Sequence, residues 1–223
     1  MAKLNKVSFV EFMQNADDNN LSFCKDYLDK VKDKTVSLPI MRDVLLYAND
    51  RTRWPLYCEI MDNRKVTRAA AIYGYREALC KGRADYRAIS IYEEQGFTTE
   101  EMLRSKKERK LWESLPDKVT LYRGCSTKEA EFGNFGFSWT LNRQIAEFFA
   151  FMNYQKDRAV YSILADKEYI SAVILERSED EALFFNSLFV TNNYRLVTDR
   201  PTEYYTDYMK AREKENKRLL NTS

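Results

Sequence analysis

At Leu115-Pro116-Asp117 the chain changes its hydrophobic period, and that change limits the folds open to it. Upstream, the apolar residues recur at helical spacing. Leu21, Cys24, Leu28 and Val31 form one such series, and Met41, Val44, Leu45 and Ala48 form another, each the buried stripe of an amphipathic helix. The stretch 65–79 is rich in Ala and favours helix, although Gly74 interrupts it. Ser8 with Glu11, and Thr98 with Glu101, have the spacing of capping boxes. Downstream of Pro116 come short β-rich runs at 119–122, 136–140, 159–164, 169–175, 182–185 and 194–198. Asn142 is placed to cap a helix running to Ala150, and 202–220 returns to a charged, helix-favouring composition. Helices followed by strands predict an α+β fold. Its expected parts are a mostly helical region over 1–115, a strand-rich core over 116–200 and a C-terminal helix over 201–223.

The chain contains no histidine. That removes Ser–His–Asp and Cys–His catalysis and every site that needs an imidazole base or ligand. An enzyme built from this sequence must work with carboxylates, Arg, Lys, Tyr, Ser or Thr, or a bound cofactor. Cys24, Cys58, Cys80 and Cys125 include no C-x-x-C pair, so neither a zinc site nor a redox motif is expected, and the four read as thiols in a reducing compartment. Lys and Arg (36) nearly balance Asp and Glu (34), leaving a net charge of +2. Such a balance gives no reason to expect a nucleic acid or a membrane as partner. No apolar run has membrane-spanning length and the first ten residues lack a signal pattern, so a cytoplasmic protein is expected. The charged stretch 106–113 reads as a solvated helix face.

Three segments of the second half could carry chemistry. Arg123 stands in Leu121-Tyr122-Arg123-Gly124, at the end of an expected strand. A guanidinium there suits a phosphate or carboxylate, and Gly124 would let a flat ring or amide come close to the main chain. Taken alone, such an Arg is most often a surface ion-pair residue. Ser138 and Thr140 alternate in Gly136-Phe137-Ser138-Trp139-Thr140, so on a strand they point together and could orient a carboxylate or a ribose hydroxyl. The plainer reading is polar alternation on a half-buried strand, with Trp139 as core rather than as a stacking platform. Glu176, Glu179, Asp180 and Glu181 crowd the approach to Ala182–Phe185. Most such clusters are solvated loops, but if the chain is extended there, Glu179 and Glu181 project from one face. Two carboxylates so placed can divide glycosidic-bond chemistry between them. One stabilises an oxocarbenium-like transition state and the other orients the nucleophile.

In this order and setting, the three segments resemble the Arg–Ser–Glu class of ADP-ribosyltransferases. Those proteins carry an Arg on the first core strand, a Ser-x-Ser/Thr strand and a Glu/Gln-x-Glu motif before a later strand. The resemblance covers about 116–201 and extends to the helix-like Tyr86-Arg-Ala-Ile-Ser-Ile-Tyr. The family's other large class needs a His that this chain lacks. The resemblance implies a split β-sandwich core preceded by a helical region, and NAD+ as the substrate. Arg123 would contact the NAD+ phosphates and brace the site. The Gly124 backbone would bond the nicotinamide amide. Ser138 would orient Glu181, with Thr140 supporting the strand. Glu181 would bind the ribose 2′-hydroxyl and stabilise developing positive charge, and Glu179 would position the acceptor, an acid there being associated with arginine acceptors. Phe148 or Phe149 would flank the nicotinamide, core packing being the plainer reading of both. Ser138-Trp139-Thr140 departs from the family's Ser-Thr-Ser, and the segment 176–181 holds no aromatic residue.

The Ser-Trp-Thr strand with its following Ala-Glu-Phe-Phe-Ala helix also resembles small bacteriophage ADP-ribosyltransferases, an anti-CRISPR protein among them. A composition rich in Lys, Asn and Tyr suits such a gene, and would make the protein an effector acting on a host protein in the host cytoplasm. Three activities follow as alternatives: mono-ADP-ribosylation of a protein; transfer to a nucleic acid, a small molecule or water, the last being NAD+ glycohydrolysis; or binding without catalysis on the same fold.

Overall fold

A computed structural model describes residues 9–30, 35–82, 84–152, 156–175, 179–186, 190 and 192–220. Ser8 of the first expected capping box, and Glu176, lie outside the described residues. The chain forms two compact units that divide between Phe97 and Thr98, earlier than the change of period at Pro116.

The first unit holds α1 (Phe9–Asp29), α2 (Leu38–Tyr47), α3 (Arg53–Asn63), α4 (Arg68–Lys81) and α5 (Arg87–Glu94). Of the stripes read from the sequence, Cys24, Leu28, Met41, Val44, Leu45 and Ala48 are buried in its core, Leu21 is half-buried, and Val31 lies outside the described residues. Helix α3 has no sequence stripe because it is buried on several sides, through Trp54, Leu56, Tyr57, Cys58 and Ile60. Gly74, which weakens the helical pattern of α4, has a packing reason. A methyl group on it would stand 2.8 Å from the Tyr57 ring and 2.9 Å from the Met41 sulfur. The buried Tyr hydroxyls are satisfied by carbonyls, Tyr57 donating to Ala71 at 3.0 Å and Tyr75 to Ala88 at 2.6 Å.

The second unit opens with α6 (Thr99–Met102) and α7 (Lys106–Ser114), both packed on a sheet strand. Their place there explains why the unit begins before Pro116. Capping boxes start both helices, Thr98 with Glu101 and Ser105 with Glu108. Among the described residues six antiparallel strands follow: β1 (Lys118–Ser126), β2 (Ser138–Thr140), β3 (Arg158–Asp166), β4 (Ile170–Ile174), β5 (Glu181–Phe184) and β6 (Arg195–Thr198). Their spatial order is β4-β5-β2-β1-β3-β6. Strands β1 and β3 pair along their whole lengths, whereas β1 meets β2 through the single registered pair Tyr122↔Thr140. The middle of the sheet is therefore a narrow seam between two wings. One face covers a core that includes Val119, Leu121, Cys125, Trp139, Tyr161 and Phe184. The other face receives α9 (Arg143–Phe151), which buries Ala146, Ala150 and Phe151 against Val160. A last helix, α10 (Glu203–Leu220), packs on α9. Helices with an antiparallel sheet make this an α+β protein.

The stretch 106–113 is not simply a solvated face. Glu108 is 1% exposed. Its Oε2 accepts from the backbone N–H of Arg104 at 2.7 Å and of Ser105 at 2.9 Å, and its Oε1 from that of Leu175 at 3.2 Å. The carboxylate thus ties the start of α7 to the end of β4. Glu108→Ala removes three hydrogen bonds to a buried carboxylate, an expected loss of about 2–3 kcal/mol in urea denaturation. A loss of about 0.5 kcal/mol, the size of a surface change, would contradict the role.

All four cysteines are buried, and none of them is in a disulfide. Burial pushes Cys58 up to about 11 and Cys125 up to about 12, and a thiol held protonated is a poor nucleophile. A thiol-specific reagent at mildly alkaline pH is expected to label the chain only after denaturation. Fast labelling of Cys58 or Cys125 in the native protein would refute their burial.

Candidate active site

Directly opposed residues of an antiparallel pair share a face of the sheet. Thr140 lies opposite Tyr122 on β1 and opposite Glu181 on β5, so Tyr122, Ser138, Thr140 and Glu181 line one face. Trp139 and its partner Ala182 lie on the other. Trp139 is 2% exposed and donates from Nε1 to the Gly136 carbonyl at 3.1 Å. It is core, as its sequence setting suggested, and stands away from the Glu181 face.

Ser138 and Glu181 are linked directly across β2 and β5. Ser138 Oγ donates to Glu181 Oε1 at 2.6 Å, a charge-assisted bond within the short range for O–H···O⁻. Both residues are half-buried, so the carboxylate is held in one orientation at the edge of solvent. Thr140 has a different task. Its Oγ1 donates to the Glu179 carbonyl at 2.7 Å and accepts from the Asn142 N–H at 3.1 Å. Leu141 N–H adds a bond to the Asp180 carbonyl at 2.9 Å. One hydroxyl therefore fixes both the entry to β5 and the start of α9, where Asn142 Oδ1 accepts from the Gln144 N–H at 2.9 Å as an N-cap.

Asp180 has φ +44°, in the left-handed region. The extended run expected over Glu179–Glu181 thus begins only at Glu181. Strand alternation does not relate the two carboxylates, and Glu179 sits in the turn ahead of β5 with its carbonyl pinned by Thr140.

Arg123 lies opposite Tyr161 on β3, and Tyr161 belongs to the core on the Trp139 face. Its guanidinium turns along the seam. Nη1 donates to the Ser138 carbonyl at 2.6 Å, while Nε and Nη2 donate to Glu129 Oε2 at 3.1 and 2.8 Å. Arg123 therefore braces the main chain of the residue whose hydroxyl holds Glu181. What comes close to the Gly124 Cα is α9: a methyl group there would stand 2.0 Å from the Ala146 carbonyl oxygen. Phe149 is half-buried on α9 beside Phe148, with ring centroids 5.5 Å apart. Phe148 is a packing residue, 5.3 Å from the Tyr208 ring and 4.5 Å below the Arg212 guanidinium, both on α10.

Sequence reasoning missed two residues here. Glu129 lies on α8 (Thr127–Glu131), and Ser126 with Glu129 has the spacing of another capping box. Ser126 Oγ does accept from the Glu129 N–H at 3.4 Å, but the carboxylate goes to Arg123. Gly136 is the second, since a methyl group on it would stand 2.7 Å from Arg123 Nη2. Its place just before Phe137-Ser138 was the available signal.

A cleft of about 440 Å³ opens beside this face, lined by Tyr122, Asn142, Arg143, Asp180 and Tyr204 among others. The Arg143 guanidinium lies 4.4 Å over the Tyr204 ring and donates to buried Glu147 at 3.0 Å. Among the described residues no group of three or more Cys, Asp or Glu side chains is set to hold a metal ion, and no helix is long and apolar enough to cross a membrane. Compared with protein-family models, curated proteins and solved structures, the chain matches none of them.

Proposed function

We propose that the second unit is a mono-ADP-ribosyltransferase of the Arg–Ser–Glu class, which cleaves NAD+ and transfers ADP-ribose to an arginine of a protein. The observation that carries this reading is the 2.6 Å hydrogen bond from Ser138 to Glu181, next to a sheet seam braced by Arg123. The strands form one six-stranded sheet, and in this reading its seam, with one registered pair between β1 and β2, stands where the split of the sandwich would fall.

A carboxylate fixed by a hydroxyl fits the ribose diol of a nicotinamide nucleotide. It binds the 2′-hydroxyl and lowers the energy of positive charge developing at the ribose as nicotinamide leaves. Glu179, one turn residue away, orients the acceptor. Phe149 and the Gly124 backbone face the nicotinamide in this reading, and the phosphates lie toward Arg123. The composition and the Ser-Trp-Thr strand support a phage-encoded effector working in the host cytoplasm on a host protein.

The test is incubation of the purified chain with NAD+ labelled in its adenylate half and a bacterial lysate. A labelled protein is expected, and agmatine, a small guanidinium acceptor, is expected to compete for the label. Nicotinamide release without a labelled macromolecule would assign the protein to NAD+ hydrolysis instead. No NAD+ binding by calorimetry would refute the reading.

A further inference from the structure

We infer that Glu129 is a positioning residue for the Ser138–Glu181 pair and acts through Arg123. Its kinetic consequence rests on the transferase reading, while its structural consequence does not.

A guanidinium offers five N–H donors in one plane. Three atoms of Arg123 use them in two directions. Nε and Nη2 close on Glu129 Oε2 at one edge, and Nη1 reaches the Ser138 carbonyl at the other. Glu129 is only six residues from Arg123 along the chain, whereas Ser138 is fifteen away. The Glu129–Arg123 pair is therefore a local unit of β1 and α8, and β2 docks against it through the Ser138 carbonyl. Because β1 and β2 share a single registered pair, the Nη1 bond is a principal link between the two wings. Gly136 completes the seat, since its missing side chain is the space the guanidinium fills. The order of control runs from Glu129 to the plane of Arg123, to the position of the Ser138 main chain, and so to the Oγ–Glu181 bond.

A different role for the same Arg predicts the opposite sign. If Arg123 were chiefly the seat for the substrate phosphates, Glu129 would compete with them, and neutralising it would tighten NAD+ binding. As a brace, Arg123 without Glu129 loses its fixed plane, and the damage falls on the reaction rather than on binding.

The test uses Glu129→Gln in the full chain, read by two methods. In nicotinamide release from NAD+, kcat is expected to fall about tenfold, the cost of a small misplacement of reacting groups, with KM within about twofold of wild type. By hydrogen-exchange mass spectrometry, the amides of 138–140 are expected to exchange faster while those of 158–166 keep their rate. Both changes should vanish when Glu129→Gln is added to Arg123→Lys, which cannot form the fork. Gly136→Ala, which displaces the guanidinium from the other side, should reproduce the kcat loss. A lower KM at unchanged kcat in Glu129→Gln would overturn the inference, as would unchanged exchange at 138–140. If the wild-type chain releases no nicotinamide, the transferase reading fails, and the exchange comparison alone decides the inference: faster exchange that depends on Arg123 upholds it.

Discussion

Gly124→Ala is expected to destabilise the second unit by about 3 kcal/mol or more, at the upper end of overpacking effects. The added methyl would stand 2.0 Å from the Ala146 carbonyl oxygen and 2.6 Å from the Ala150 nitrogen. Both are main-chain atoms of α9, so no rotamer change relieves the clash and the helix must shift as a body. It is not free to do so. Asn142 caps its first turn, and Arg158 holds its last carbonyls, with Nε to Ala150 at 3.0 Å and Nη2 to Phe149 at 3.1 Å. Chemical denaturation of wild type and variant measures the effect. A variant as stable as the parent would mean that α9 does not pack on β1 as described. The same contact assigns Gly124 a structural duty in addition to any contact its amide makes with a ligand.

Glu181→Gln is expected to lower nicotinamide release by about 10³-fold, the range seen when a group that stabilises transition-state charge is lost. Folding should be unaffected, because the amide oxygen of Gln can still accept from Ser138 Oγ and the side chain keeps its volume. Glu179→Gln is expected to behave differently, sparing nicotinamide release and losing transfer to the acceptor. The separation of the two effects is the informative result. If Glu181→Gln retained more than about a tenth of the wild-type rate, a loss of only about 1.4 kcal/mol, Glu181 would not be the group that stabilises bond cleavage. Loss of nicotinamide release in both variants alike would show that the two acids act as a unit.

Much of the architecture was legible because local and global signals agree. Each of the β-rich runs after Pro116 corresponds to a strand, and Asn142 and the Thr98–Glu101 box cap the helices they precede. Met41, Val44, Leu45 and Ala48 became core because one helix face met a partner. Legibility failed where burial is not one-sided. Helix α3 is surrounded and so carries no period, and Glu108 looks like a surface charge although three main-chain N–H groups satisfy it inside. At the site, the alternation of Ser138 and Thr140 follows from strand geometry and needed no tertiary information. The relation between Glu179 and Glu181 could not be read the same way, because it depends on the left-handed backbone at Asp180, a region that is uncommon for any residue but Gly even though Asp is enriched in it. Glu129 escaped because nothing in the sequence around it marks it as more than a surface acid. Its carboxylate serves Arg123, a choice made by the position of β1 and not by the local sequence.

The most direct measurement is mass spectrometry of a bacterial lysate treated with the purified chain and isotopically labelled NAD+. The expected result is labelled ADP-ribose on arginine side chains of one or a few proteins, absent when Glu181→Gln replaces the wild type. A wild-type reaction that modifies no macromolecule and releases no nicotinamide would contradict the assignment of Ser138, Glu181 and Arg123 to NAD+ chemistry.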